Sequence, residues 1–159
     1  MDEQLECQFN ALLSLARDKA FKLVVDHPDL WWTSPFQGME KESLEAGIEP
    51  FAGGNCYEID KSGKHRIWGT VLSIEEPLFV RFAWQVSPNG MPIADPATAS
   101  RVMLSFRESG EATRLEIVHT KFLRHGEDGA AYKNDMAGPN GWPRIIERLQ
   151  KAAGSGRRL

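Results

Sequence analysis

Five tryptophans, Trp31, Trp32, Trp68, Trp84 and Trp142, stand in a chain of 159 residues. Small-molecule pockets are mostly apolar and aromatic, with a few polar groups that orient the ligand. The alternative use of such rings is bulk, because each aromatic side chain buries about 150–250 Å² in a core. His119 keeps phase with Leu115 and Ile117 and should face the interior with them. There it serves as a polar anchor or acid/base group, held neutral by desolvation, or as a structural histidine bonded to a backbone carbonyl. Tyr57 shares its phase with Ile59 and could bring a hydroxyl to the same space. The expected cavity lining is Trp31, Trp32, Tyr57, Trp68, Phe82, Trp84, Phe106, His119 and Trp142. Trp84 lies on an inward strand phase and Trp142 opens the covering helix, whereas Trp68 is ambiguous. The adjacent pair Trp31-Trp32 must point in different directions and suits a rim or a partner surface.

Other chemistry finds no motif. Glu49 is out of phase with Ile48, and no second carboxylate stands in a readable relation to it. Gly53-Gly54 lacks the lysine and hydroxyl residue of a phosphate loop, so a bulge or tight bend is expected there. No serine or cysteine sits in a nucleophile motif. Cys7 and Cys56 match no zinc-ligand spacing and are expected to be reduced thiols in strands, with a disulfide between strands as the alternative. Arg81, Arg101 and Arg107 fall on outward phases, and His27, His65 and His125 have no inward phase. Neither catalytic residues, a metal nor a cofactor is expected.

The elements that must position these residues follow from hydrophobic period. Residues 6–13 alternate as a half-buried strand. Ala16, Ala20, Leu23 and Val24 recur at helical spacing until His27-Pro28, where the residue before proline leaves the α region. A short second turn follows over residues 29–32. Strands are expected over 45–50, 56–60, 65–74, 78–84, 101–107 and 113–122, with hairpin chemistry at residues 60–64. The proline-bearing stretch 87–99 is long enough to gate one end of a cavity or to be a surface excursion. A short helix over 130–137 precedes residues 142–153, whose apolar stripe is Trp142, Ile145, Ile146 and Leu149. Pro143 fits the first turn of that helix, where its missing N–H costs nothing. The fold class is α+β: a curved antiparallel sheet of about six to seven strands around a long C-terminal helix, with two short helices after the first strand.

The formal charge of -3 excludes a basic nucleic-acid footprint. No apolar run approaches the roughly 20 residues of a membrane helix, and the acidic start lacks a secretory pattern, so a cytoplasmic location is expected. One domain over 1–153 and a flexible tail over 154–159 are expected. In order, Lys19-Ala20-Phe21, His27-Pro28-Asp29-Leu30-Trp31-Trp32, Pro50-Phe51-Ala52-Gly53-Gly54 and Trp68-Gly69-Thr70-Val71 continue into Glu75-Glu76-Pro77, Phe82-Ala83-Trp84, Thr113-Arg114-Leu115, His119 with Phe122, and Gly141-Trp142. This series resembles bacterial members of the family named after the activator of the ninety-kilodalton heat-shock chaperone ATPase, within the SRPBCC or START-like superfamily. The resemblance implies a helix-grip domain with an internal cavity for an apolar or amphipathic small molecule. Two other readings stay open: a chaperone-type protein-interaction module acting through a surface around Trp31, Trp32 and Phe36, or a cyclase- or hydrolase-like enzyme. Monomer and homodimer are both compatible with the sequence.

Overall fold

The computed structural model describes residues 5–36 and 45–154. Of the tail expected over 154–159, Gly154 ends the C-terminal helix and the rest lies outside the described residues. Seven antiparallel strands form one sheet: β1 (Cys7–Leu13), β2 (Glu45–Ile48), β3 (Asn55–Ile59), β4 (His65–Glu75), β5 (Phe79–Trp84), β6 (Ser100–Ser109) and β7 (Ala112–Thr120). Their spatial order is β1-β7-β6-β5-β4-β3-β2, so β2 to β7 form a meander and β1 returns to pair with β7. The helices are α1 (Arg17–Asp26), α2 (Gly129–Ala137) and α3 (Trp142–Gly154), with 3-10 turns at Pro28–Leu30, Pro96–Thr98 and Phe122–Asp128.

Strand alternation decides which face is buried. Leu115, Ile117 and His119 of β7, Val102, Leu104 and Phe106 of β6, and Val80, Phe82 and Trp84 of β5 are all buried on the inner face. Cross-strand partners Val102↔His119, Leu104↔Ile117 and Phe82↔Val102 confirm that these residues share a side. On α1 the buried positions are Ala20, Phe21, Leu23, Val24 and Val25; on α3 they are Trp142, Ile145, Leu149 and Ala153, a stripe at helical spacing. The long C-terminal helix does not cover the sheet alone. α1 packs on β6, β7 and β2, while α3 packs on β1 and α1.

Turns sit where backbone chemistry puts them. The Asp60 carboxylate accepts from the backbone N–H groups of Ser62 and Lys64, and Gly63 takes φ 85°. Gly110, at φ 62°, turns β6 into β7. The strand expected to reach residue 122 ends at Thr120, because Lys121 adopts a left-handed φ of 64° and starts the turn Phe122–Asp128. Stretch 87–99 folds back outside the inner face. Ile93 N–H donates to the Gln85 carbonyl and the Gln85 amide donates to the Ile93 carbonyl. Pro92, Ile93 and Ala94 border a surface groove with His65, Ile67 and Thr70. Of the two expectations for this stretch, that position fits the surface excursion rather than the gate.

One irregularity matters for the interior. The pairing of β3 with β4 shifts register between Cys56 and Tyr57, so that Cys56 faces Gly69 and Tyr57 faces Ile67. Trp68 is the extra residue, and a bulge of this kind re-aims the side chain it carries. A Cβ at Gly69 would stand 2.7 Å from the Ala83 carbonyl oxygen and 3.2 Å from Cys56 Cβ. Gly69→Ala is therefore expected to destabilise the protein by about 1–3 kcal/mol, as overpacking does. A urea midpoint equal to that of the unsubstituted protein would refute the close approach.

Candidate functional site

All five tryptophans are buried, at 4% exposure or less. Trp32 lies in the centre, stacked on Trp68 with ring centroids 3.9 Å apart and 14° between planes. Trp31 meets both edge to face, and Trp68 meets Phe82 the same way. Trp84 touches Trp32 and Trp68 on one side and Trp142 on the other, at 5.7, 6.2 and 5.6 Å. The run continues through His119 and Phe122, 4.1 Å apart, to Tyr132. Trp31 and Trp32 thus lie in the interior, which corrects the expectation of a rim. The apolar patch that a surface-acting module would use at Trp31, Trp32 and Phe36 is turned inward.

Buried indole N–H groups need acceptors, and four of the five have one. Trp31 Nε1 donates to the Val24 carbonyl at 3.1 Å. Trp84 Nε1 donates to Tyr132 Oη, which donates on to the Val86 carbonyl, both at 2.7 Å. Trp32 Nε1 donates to Glu58 Oε1 at 2.8 Å, and Ser34 Oγ donates to Glu58 Oε2 at the same distance. Trp142 Nε1 donates to His119 Nδ1 at 3.0 Å. Trp68 Nε1 and Thr33 Oγ1 are buried without a partner among the described residues.

Glu58 is a polar member of the site that alternation alone did not reveal. The expectation turned Tyr57 and Ile59 inward, but Cys56 and Glu58 are the fully buried residues of β3. Tyr57 is half-buried on the opposite face, its ring over Gly47, where a Cβ would stand 2.3 Å from the hydroxyl. Phe106 is buried apart from the tryptophans, edge to face with Phe21 at 5.2 Å. Burial pushes the Glu58 carboxyl up from its ordinary range, while its bonds from Trp32 and Ser34 and the nearby Arg66 oppose the rise. Arg66 stands opposite Glu58 in the register, its guanidinium 5.8 Å above the Phe36 ring. Burial also pushes both cysteine thiols up, Cys7 to about 11, and both are free.

His119 faces inward, as its phase predicted, and its partners are side chains rather than a carbonyl. Nε2 lies 2.7 Å from Ser100 Oγ, which is 2.7 Å from His125 Nε2; the Ser100 N–H also points at that nitrogen, at 3.3 Å. Indole nitrogen only donates, so His119 Nδ1 must be bare and its proton must sit on Nε2. Ser100 then accepts from His119 and passes its own hydroxyl hydrogen to a bare His125 Nε2. The proton of His125 is left on Nδ1, which is buried without a partner. Burial lowers both imidazoles, His119 well below its ordinary value and His125 to about 4. His125, expected on the surface, therefore belongs to this relay; it sits in a 3-10 turn, where a period-two phase gives no signal.

A cleft of about 80 Å³ reaches this cluster from outside. Trp84 forms part of its wall, together with Thr33, Ser34, Met136, Gly141 and Ile145. It lies between the segment after Trp32 and the start of α3. Among the described residues no group of histidine, cysteine and carboxylate side chains has the geometry of a metal site, and no helix is long and apolar enough to cross a membrane.

A curled antiparallel sheet closed over an aromatic interior by a C-terminal helix is the helix-grip architecture of START-like proteins. The family model described as "Activator of Hsp90 ATPase homolog 1-like protein" matches residues 15–154, and the chain belongs to that family. Among solved structures it is similar to the anthrahydroquino-gamma-pyrone synthase Txn09, with 24% identity, 93% of this chain and 99% of that one covered, and a TM-score of 0.63. It is similar also to CalC, a self-sacrificing resistance protein from Micromonospora echinospora, with 26% identity, 94% of each chain covered and a TM-score of 0.65. A protein from Nitrosomonas europaea shares the fold at 13% identity, with 99% and 98% of the two chains covered and a TM-score of 0.68. No curated protein matches the chain.

Two outcomes follow from the buried polar groups. Unfolded histidines take up protons near pH 6.5, whereas His119 and His125 stay neutral in the fold. The unfolded state then binds more protons, so their contribution to stability is complete above about pH 6.5 and falls as pH drops, for His125 down to about 4. The raised Glu58 carboxyl acts in the opposite sense. Comparison at fixed Glu58 isolates the histidine: His125→Gln keeps an acceptor for Ser100, and its Tm should decline less steeply between pH 6.5 and 4. Parallel Tm curves would contradict the relay. Second, Glu58→Ala strands the Trp32 and Ser34 donors and should cost at least about 2 kcal/mol. Glu58→Gln keeps an acceptor for Trp32 and should cost less. Equal chemical-denaturation midpoints for the two variants would contradict the assigned bonds.

Proposed function

We propose that this protein binds a small apolar or amphipathic molecule against its interior aromatic cluster, without chemistry of its own. The observation that carries this reading is the cleft between the residues after Trp32 and the start of α3. It has an aromatic wall at Trp84 and is bordered by Thr33, whose hydroxyl lies buried and unsatisfied just behind the cleft surface. A buried polar group without a partner costs about 1–3 kcal/mol in the free protein. A ligand bearing a polar group would supply that partner and gain specificity from it. The unpartnered Trp68 indole, deeper in the same cluster, adds a second donor of this kind. At about 80 Å³ the cleft holds only a fragment of a ligand, so a larger molecule enters by parting the Thr33–Phe36 segment from α3. Txn09, which shares the fold, is an anthrahydroquino-gamma-pyrone synthase, and an aromatic ligand for the present interior is in keeping with that likeness. His119 is engaged by Trp142 and Ser100 rather than by a carboxylate, and this favours binding over acid/base catalysis.

The test is intrinsic tryptophan emission during titration with long-chain fatty acids and polycyclic aromatics, alongside native mass spectrometry of the purified protein. A binder should shift or quench the emission. Thr33→Val, which keeps side-chain size, should leave the Tm of the free protein equal or higher and weaken that binder about tenfold. Unchanged emission across the panel with no bound mass would overturn the reading.

A further inference from the structure

The outer face of the sheet carries a second, chemically different feature. Arg81 of β5 and Arg101 of β6 both point outward, each half-buried. The register pairs Arg81 with Met103 and Ala83 with Arg101. The two arginines are therefore diagonal neighbours on adjacent strands, a relation of roughly 7–8 Å between backbones that long side chains span easily. Arg124 reaches the same end of β6 from the turn after β7: its Nη1 donates to the Ala99 carbonyl at 3.4 Å.

Among the described residues no carboxylate balances these charges. On this face Glu116 takes Arg107 and Arg114, at 2.7 and 3.3 Å. Among the described residues none lies within ion-pair distance of Arg81, Arg101 or Arg124. The Nε–H groups of Arg81 and Arg101 are buried and unpartnered. Burial, then the charges of Arg124 and Arg81, disfavour the charged form of Arg101, yet a guanidinium does not give up its proton in a protein. The fold thus holds three like charges together, two of them half-desolvated, which is unfavourable unless something negative completes the group. Guanidinium forks match tetrahedral oxyanions, which accept two parallel N–H bonds from one arginine. Ser73, opposite Arg81, and Thr120, opposite Arg101, add hydroxyl groups on the same face.

We propose that Arg81, Arg101 and Arg124 form a binding site for a phosphoryl group on the outer face of the sheet, separate from the aromatic interior. The phosphoryl group belongs either to a soluble phosphate ester or to a lipid headgroup.

Thermal unfolding is compared in sodium pyrophosphate and in sodium chloride of equal ionic strength. The unsubstituted protein should gain Tm in pyrophosphate beyond the chloride control, because a ligand that binds only the folded state stabilises it. Arg101→Gln should raise the Tm of the free protein, by removing repulsion, and weaken pyrophosphate binding at least about tenfold. Arg124→Gln, an exposed position that tolerates change, should weaken it similarly and decides the matter if the Arg101 variant does not fold. Lys151→Gln, on the far side of α3, should behave like the unsubstituted protein. Equal responses to pyrophosphate and chloride would overturn the site, and so would a pyrophosphate response that survives in Arg124→Gln. Flotation with phosphatidic acid vesicles, set against phosphatidylcholine vesicles, separates the two sources. Association lost in Arg124→Gln assigns a headgroup, and no association beside a positive pyrophosphate response assigns a soluble ester.

Discussion

The interior is governed by the need to give every buried indole N–H an acceptor. Burying five large rings yields much hydrophobic stabilisation, at roughly 25 cal/mol per Å² of apolar surface. Each ring also brings a donor that water no longer satisfies. The chain meets four of these demands with four different acceptors: a helix carbonyl for Trp31, a carboxylate for Trp32, a phenol for Trp84 and an imidazole for Trp142. Each acceptor imposes a further condition. Glu58 must be buried and held by Ser34; His119 must keep its proton on Nε2; Tyr132 must find Val86. Ser34, Glu58 and His119 answer to the tryptophans, whereas the buried Gln85 and Thr113 answer to the backbone carbonyls of Ile93 and Leu15.

The same logic links the aromatic cluster to the protein's edges. His119 passes its hydrogen-bond direction through Ser100 to His125, so one chain of polar contacts runs from the start of α3 to the turn after β7. Arg148 of α3 donates to the carbonyl of Trp31, fixing the helix against the segment that carries the tryptophan pair, and Gln150 donates to that of Leu12 in β1. The bulge at Trp68 and the missing side chain at Gly69 let a fifth ring enter a space the ordinary pleat would have denied it. That ring arrives with its donor unpaired.

Much of this was legible in the residues. Clean alternation in Arg101–Arg107 and Thr113–His119 fixed two strands and the inward aim of His119, and the stripe from Trp142 to Leu149 marked the covering helix. Where period failed, physical reasons explain it. Trp68 sits at a bulge, where two successive residues turn to one side and counting by two breaks down. Tyr57 and Glu58 compete for the interior on a short strand, and hydrophobicity favoured the wrong one, because the carboxylate is wanted as an acceptor by two donors distant in sequence. Ser100 keeps the inward phase of Val102 but lies one residue before the expected strand, His125 carries no periodic signal, and their pairing exists only once β6 and the turn after β7 are assembled. The outward arginines were read correctly, but their crowding depends on strand register, which a sequence pattern does not supply.

Pairing of β1 with β7 joins residues such as Leu13 and Thr113. Such a long closure carries a chain-entropy cost that is met before its contacts can reward it, and non-local strand pairing slows folding. On a ribosome, β1 emerges ahead of β2 to β6 and waits for all of them to be synthesised before its partner β7 appears. Until then β1 offers unpaired backbone groups and α1 an apolar face, the surfaces through which nascent chains associate wrongly. For an interior that is finished only when β7 and α3 arrive, the hazard of synthesis is concentrated at β1.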